Sequence, residues 1–304
     1  MAREAMRGFG SALVRRLRDR RGLGFRAGAL ALALIALTIS GPAEARPERI
    51  ASMNLCTDQI TLALVERERV ASLSALVAQA DYSNAADDVA GIRLNHGLSE
   101  EILPLEPDFV VAGTFSAQPT VMLLSRLGHP TLVVDFARSI DDVRTNVRTL
   151  GGAFGEAARA EALIEAMDGR LAAAAGPTGS NRPTALYLQP NGYTAGGDSL
   201  IGDVIGHAGL TNLGAEAGIS GHGRLSMETL LALAPDILIT DESRDRAPAL
   251  AYEILEHPAV TALLARSIRV QVPTRLWICG LPAIAEAVEL LADARRRVTG
   301  EAGS

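Results

Sequence analysis

An α/β fold is predicted for this 304-residue chain: two Rossmann-like lobes with central parallel sheets, one long helix joining them, and a ligand cleft between. Three observations predict it. Short apolar runs such as Asp108-Phe109-Val110-Val111-Ala112 and Asp236-Ile237-Leu238-Ile239-Thr240 read as strands buried on both faces of a parallel sheet. These runs alternate with helical stretches, the order that builds parallel sheets with right-handed crossovers. Between the two sets of runs lies a proline-free stretch, residues 139–176, rich in Ala, Arg, Glu and Leu. Those residues lose least on entering a helix.

The chain begins with an expected export signal over residues 1–45. Arg15, Arg16, Arg18, Arg20, Arg21 and Arg26 form a basic region, residues 27–39 an apolar run, and Ala43-Glu44-Ala45 a small-x-small site with cleavage expected after Ala45. As a helix the apolar run spans roughly 20 Å, short of the ~30 Å hydrocarbon core, which favours a cleaved signal over an anchor. Both the general and the twin-arginine export routes remain open. The whole chain carries a formal charge of −6 and no lysine, and residues 1–45 hold eight arginines against three acids, so the remainder is more acidic still. An acidic exported protein is poorly suited to nucleic acid or an anionic membrane.

The first lobe, 46–138, opens with a strand over 49–53 and a helix that starts at 54–59 and continues through 65. A second strand follows at 70–73, then an irregular polar segment, 79–95. Ser99 is placed to cap a short helix over 100–105. Strands at 108–112 and 131–134 flank a helix at 120–127 that Gly128 ends. In the connector, 139–176, glycines at 151, 152 and 155 divide a short helix (about 141–150) from a long one over 156–175. The long one spans roughly 30 Å. A long helix without proline resists bending, so only a small closure of the lobes is expected.

The second lobe, 177–300, repeats this grammar before a four-residue tail, 301–304. It has a strand at 184–188, a polar glycine loop at 189–197 and a helix at 199–208. Ser226 caps a helix over 227–234, strands follow at 236–240 and 268–272, and an amphipathic helix at 282–297 closes the chain. The segment Glu100-Glu101-Ile102-Leu103-Pro104-Leu105-Glu106-Pro107-Asp108 recurs as Glu228-Thr229-Leu230-Leu231-Ala232-Leu233-Ala234-Pro235-Asp236. Glutamate, apolar positions and Pro-Asp keep their spacing, which marks the lobes as similar units.

Ligands of open parallel sheets bind beyond the carboxyl ends of the strands. The segments predicted to arrive there are 54–59, 93–96, 114–116, 135–136, 189–193, 241–244 and 275–279. Of eleven aromatic residues, Phe115, Phe136, Tyr193 and Trp277 fall among them, and apolar walls with a few polar groups are how ligand pockets are built. The candidate ligand-binding residues are Asn54, Cys56, Asp58, His96, Phe115, Tyr193, Arg224 and Trp277. His96 and His222 are candidates to face a metal centre of the ligand, and Arg224 to pair with a ligand oxyanion.

The export signal, the two lobes, the connecting helix and the paired Glu…Pro-Asp segments together resemble class III substrate-binding proteins of ABC importers, over about residues 48–298. That family captures cobalamin, ferric siderophores or heme in the periplasm. The resemblance implies reversible capture of a metal chelate, a ferric siderophore or cobalamin ahead of heme, by a monomer without a cofactor of its own. It also implies partners, an inner-membrane permease with its ATPase, and places Glu100 and Glu228 where the family meets permease arginines.

The rival reading is a periplasmic enzyme with Cys56 as nucleophile at a helix N-terminus, His96 as its base and Asp58 orienting that base. No nucleophile motif surrounds Cys56, residues 192–197 lack the GxGxxG order, and no zinc-ligand spacing is present. Cys56 and Cys279 both follow strands and are expected to face the cleft. Inert packing, contact with ligand and an interlobe disulfide compete; two free thiols are the expectation, because a bridge would lock the cleft.

Overall fold

The apolar runs of the first lobe pair into a five-stranded parallel sheet in the computed structural model, which describes residues 46–176, 179, 181–241 and 258–300. The expected export signal over 1–45, the cleft positions 242–244 and the tail 301–304 lie outside the described residues. The strands are β1 (Ile50–Ser52), β2 (Val70–Ser74), β3 (Leu94–Asn95), β4 (Phe109–Gly113) and β5 (Thr131–Val134), in the order β3-β2-β1-β4-β5. Helices α1 (Leu55–Leu64), α2 (Ser99–Ile102) and α3 (Gln118–Arg126) cross between them. Ser99 does not cap α2. Leu98 holds that position, and the Ser99 hydroxyl donates instead to the neighbouring Glu100 carboxylate at 3.2 Å.

The connector is a helical hairpin, of which the expected long rod is the second arm. Helix α4 (Ile140–Phe154) begins at a capping box of Ser139 and Asp142 and runs through Gly151 and Gly152. It stops at Gly155, whose φ of 72° admits the left-handed turn, and α5 (Ala157–Ala174) returns alongside. Gly151 is required where the arms meet, since a Cβ there would lie 2.4 Å from that of Ala160. Ion pairs of Arg144 with Asp168 (2.7 Å) and Arg148 with Glu161 (2.7 Å) set the antiparallel register. Arg69, 5% exposed, holds the turn to the first sheet. Its guanidinium donates to the Phe154 carbonyl (2.7 Å), the Glu156 carboxylate (2.6 Å) and the Pro47 carbonyl (2.7 Å).

The second lobe carries β6 (Thr184–Tyr187), β8 (Thr211–Asn212), β10 (Ile237–Asp241) and β11 (Ile268–Val272) in a parallel sheet ordered β11-β10-β6-β8. The stretch expected as one loop at 189–197 contains β7 (Tyr193–Ala195), which pairs antiparallel with β9 (His222–Arg224) in a ribbon beside the sheet. Helices α6 (Leu200–His207), α7 (Leu213–Glu216), α8 (Met227–Leu233), α9 (Pro258–Leu264) and α10 (Ile284–Thr299) complete it. Ser226 caps α8 as its position predicts, and Ser199 caps α6.

The repeated Pro-Asp has one structural meaning in both lobes. Glu106 (φ 47°) and Ala234 (φ 38°) turn left-handed just before the proline. The aspartate then secures the start of the neighbouring strand. Asp108 accepts from the Glu48 and Arg49 amides at 2.7 and 2.9 Å, and Asp236 from the Thr184 amide and hydroxyl at 2.8 and 2.7 Å.

Strand residues alternate between two faces. Val110 and Ala112 pack outward under α2 and α3, and Leu186 and Leu238 pack outward under α8. The inward residues, among them Ile50, Val111, Tyr187, Ile237 and Ile239, join the apolar faces of α1, α4, α5, α6 and α10 in one continuous core.

Candidate functional site

Each sheet has a point where strand order reverses, between β1 and β4 in the first lobe and between β6 and β10 in the second. Side chains beyond the carboxyl ends of strands at such points border a crevice. Here the two crevices face each other across a cleft of about 680 Å³.

On the first lobe, Asn54 follows β1 and caps α1, its side-chain oxygen accepting from the Cys56 amide at 2.9 Å. Gly113 leaves room for it, since a Cβ there would lie 2.8 Å from the Asn54 carboxamide carbon. Phe115, 77% exposed, leans on Phe136 with ring centroids 5.3 Å apart, and the Arg138 guanidinium lies 5.0 Å from the Phe136 ring. Asp135 accepts from the Thr114 hydroxyl at 2.7 Å.

The second lobe presents Tyr187, Gln189 and Trp277. The Tyr187 hydroxyl donates to Asp241 (2.9 Å) and Gln189 to the same carboxylate (2.9 Å). Burial, reinforced by the Asp241 charge, holds the Tyr187 phenol far above its ordinary range, so it stays protonated. Its ring packs edge-on against Trp277 at 5.1 Å. His222 and Ser220 border the cleft from the ribbon side, where Ser220 donates to Asp198.

Cys56 and Cys279 both line the cleft and are joined by a disulfide, with Cα atoms 5.2 Å apart across 223 residues of sequence. This corrects the expectation of two free thiols. A bridge closes off the site only if it spans the mouth. This one lies in the wall and leaves the cavity in place. The nucleophile reading loses its thiol, and its other members are elsewhere. His96 is exposed, pairs with Glu101 at 2.9 Å and does not line the cleft.

Asp58 was expected to face ligand, but it sits on the buried face of α1 and accepts from the Ser74 amide at 3.1 Å and from the Ser74 hydroxyl. Desolvation raises its carboxyl to about 7, against the opposing hydrogen bonds. A folded-state value above the unfolded one makes this residue's contribution complete below about pH 4 and lost as pH climbs through 7. Asp58→Asn is therefore expected to flatten the pH dependence. At pH 8 it should unfold at higher urea than the parent, by up to a few kcal/mol at about 1.4 kcal/mol per pH unit, and near pH 4 with little difference. Urea midpoints measured across pH 4–8 check this, and parallel curves for the two proteins would refute it.

Of the candidate residues, Asn54, Cys56, Phe115 and Trp277 converge on the cleft. Asp58, His96, Tyr193 and Arg224 do not. Tyr193 and Arg224 face each other across the β7–β9 ribbon, with the guanidinium 5.5 Å from the ring and its Nε donating to the Asn191 carbonyl. Tyr187, Gln189, Asp135 and Arg138 were missed as named residues, although 189 and 135 fell within the predicted segments. Strand order is the clue that would have placed Tyr187, at the end of a strand beside a reversal point.

Glu100 and Glu228 stand exposed in the first turns of α2 and α8, at matching positions of the repeat. A hydrogen bond from the Ser226 hydroxyl holds the Glu228 carboxyl below its usual range. Among the described residues, no cluster of His, Cys, Asp and Glu is arranged to hold a metal ion.

Comparison with known proteins matches residues 50–266 to the family model described as "Periplasmic binding protein". A cobalamin-binding protein of Halobacterium salinarum is 30% identical over 263 residues, which is 84% of this chain and 71% of the relative. An uncharacterized ABC transporter substrate-binding lipoprotein of Bacillus subtilis is 22% identical over 206 residues, 64% of each chain. Among solved structures, the ligand-free periplasmic heme-binding protein of Roseiflexus sp. RS-1 superimposes with a TM-score of 0.65 at 23% identity, covering 82% of this chain and 99% of its own.

Proposed function

Because the chain belongs to the periplasmic binding protein family, we propose that it captures a metal chelate in the interlobe cleft and hands it to an ABC permease driven by its ATPase, with cobalamin the first candidate and a ferric siderophore the second. The observation that carries this reading is the cleft between two strand-reversal points. Its volume lies within the range of small-molecule sites, and Phe115, Phe136 and Trp277 offer apolar faces beside the polar Asn54, Asp135 and Gln189. The similarity to a cobalamin-binding relative orders the candidates. The reading further takes the protein to be a monomer, exported to the periplasm by a signal cleaved after Ala45, that docks on its permease through Glu100 and Glu228. It assigns no catalytic step to the chain.

Trp277 is the sole tryptophan and lines the cleft, so its emission reports occupancy. Titration of the purified protein with cyanocobalamin, a ferric hydroxamate and hemin, paired with calorimetry, is expected to give saturable one-to-one binding for cobalamin. Phe115→Ala should weaken it about tenfold, the scale of one lost aromatic contact. Saturable binding of the hydroxamate or hemin alone would reassign the chelate, and binding of none would overturn the reading.

A further inference from the structure

The lobes are joined twice by the chain's own covalent structure: once through the α4–α5 hairpin and once through the Cys56–Cys279 bridge. The bridge ends are held firmly. Cys56 sits in the first turn of α1 under the Asn54 cap, and Cys279 is 2% exposed. Around it, contact between the lobes and with the connector is close but non-covalent. The Asn84 side chain donates to the Arg275 carbonyl at 2.8 Å, and Gly280 meets Ala137 so closely that a Cβ would lie 2.3 Å from the Ala137 Cβ.

We propose that the Cys56–Cys279 bridge is a covalent stop that sets how far the cleft opens. A disulfide tolerates Cα separations up to about 6.8 Å, and this pair already stands at 5.2 Å. A swing of the lobes about the connector that widens the cleft at this wall has to part these two residues, because one comes from each lobe and both line the cleft. With the bridge intact, the lobes can pivot around it but cannot separate there. With the bridge gone, only the hairpin and the non-covalent seam oppose opening. Ligand entry and exit in the bridged protein therefore proceed through a limited aperture rather than a gaping one. That consequence for ligand rests on the capture reading above, whereas the stop itself does not.

The test compares the oxidised full-length mature protein with Cys56→Ser/Cys279→Ser, and with wild type reduced by dithiothreitol. In that reduction the reagent's thiolate attacks the more accessible Cys56 sulfur and Cys279 leaves as a thiolate. The reagent's second thiol then closes its own ring and releases Cys56, so one disulfide is exchanged for another. X-ray scattering of ligand-free samples is expected to show a larger radius of gyration and maximum dimension once the bridge is lost, with circular dichroism unchanged. Where cyanocobalamin binds, its dissociation should be about tenfold faster without the bridge, a coupling of ordinary size. Superimposable scattering with and without the bridge would overturn the stop whatever the ligand proves to be. So would loss of the fold in both the variant and the reduced protein, because the bridge would then be holding the fold rather than the aperture. Failure of cobalamin to bind at all, with the scattering difference present, would strike the capture reading and leave the stop standing.

Discussion

Arg69→Met is expected to lower the unfolding free energy by about 3–5 kcal/mol, the range for removing one partner of a buried, hydrogen-bonded ion pair. The side chain is buried and donates to three acceptors from three segments: the end of α4, the start of α5 and the segment leading into β1. Methionine fills much of the volume but donates nothing. The Phe154 carbonyl loses a cationic donor at a helix C-terminus, where the helix dipole favours one, and the Glu156 carboxylate loses its guanidinium. Chemical denaturation at neutral pH reads the loss directly. A change below about 1 kcal/mol would show that water replaces the guanidinium at this turn and that the side chain is not holding the hairpin to the first sheet.

Reversing both Glu100 and Glu228 to arginine is expected to cut transport by at least about a hundredfold while leaving chelate affinity in the purified protein unchanged. Both residues are exposed and neither lines the cleft. On the docking proposed above, a like charge set against permease arginines costs several kcal/mol, so two reversals leave little docking. Uptake in cells lacking the native gene, with affinity measured in parallel, separates the outcomes. Lost affinity in Glu228→Arg alone would place that residue in the ligand site or the fold, and undiminished uptake by the double variant would remove both from docking.

The fold was legible wherever burial is written locally. The two Pro-Asp strands were readable because a strand covered on both faces needs an unbroken apolar run. Thr131–Val134 is as apolar but forms the sheet edge with Val133 44% exposed, so its expected burial on both faces does not hold. Ser226 was readable because a cap needs only its own turn. The β7–β9 ribbon was not, since strands of three polar or glycine-rich residues differ little from loop. The site was legible to the extent that strand order was. Asn54 and Phe115 follow β1 and β4, neighbours at the reversal point, and they reach the cleft. His96 follows β3, at the far edge of the same sheet, and it does not. Nothing in the run of residues near Asn95 announces an edge position, because pairing order is decided by segments distant in sequence. The disulfide was hidden for the same reason, with its partners 223 residues apart and no spacing motif at either end.

The inward faces of the two sheets share one apolar core with α1, α4, α5, α6 and α10. Domains that can be cut apart keep separate cores and meet through a modest, rather polar interface. Among the described residues the two lobes are not divided in that way. Stripping away either lobe would expose apolar surface on the helices that remain, so neither half has a complete interior of its own. The cleft is therefore a groove in a single cooperative body, and a ligand that settles there braces the whole molecule against unfolding, not just the lobe it touches.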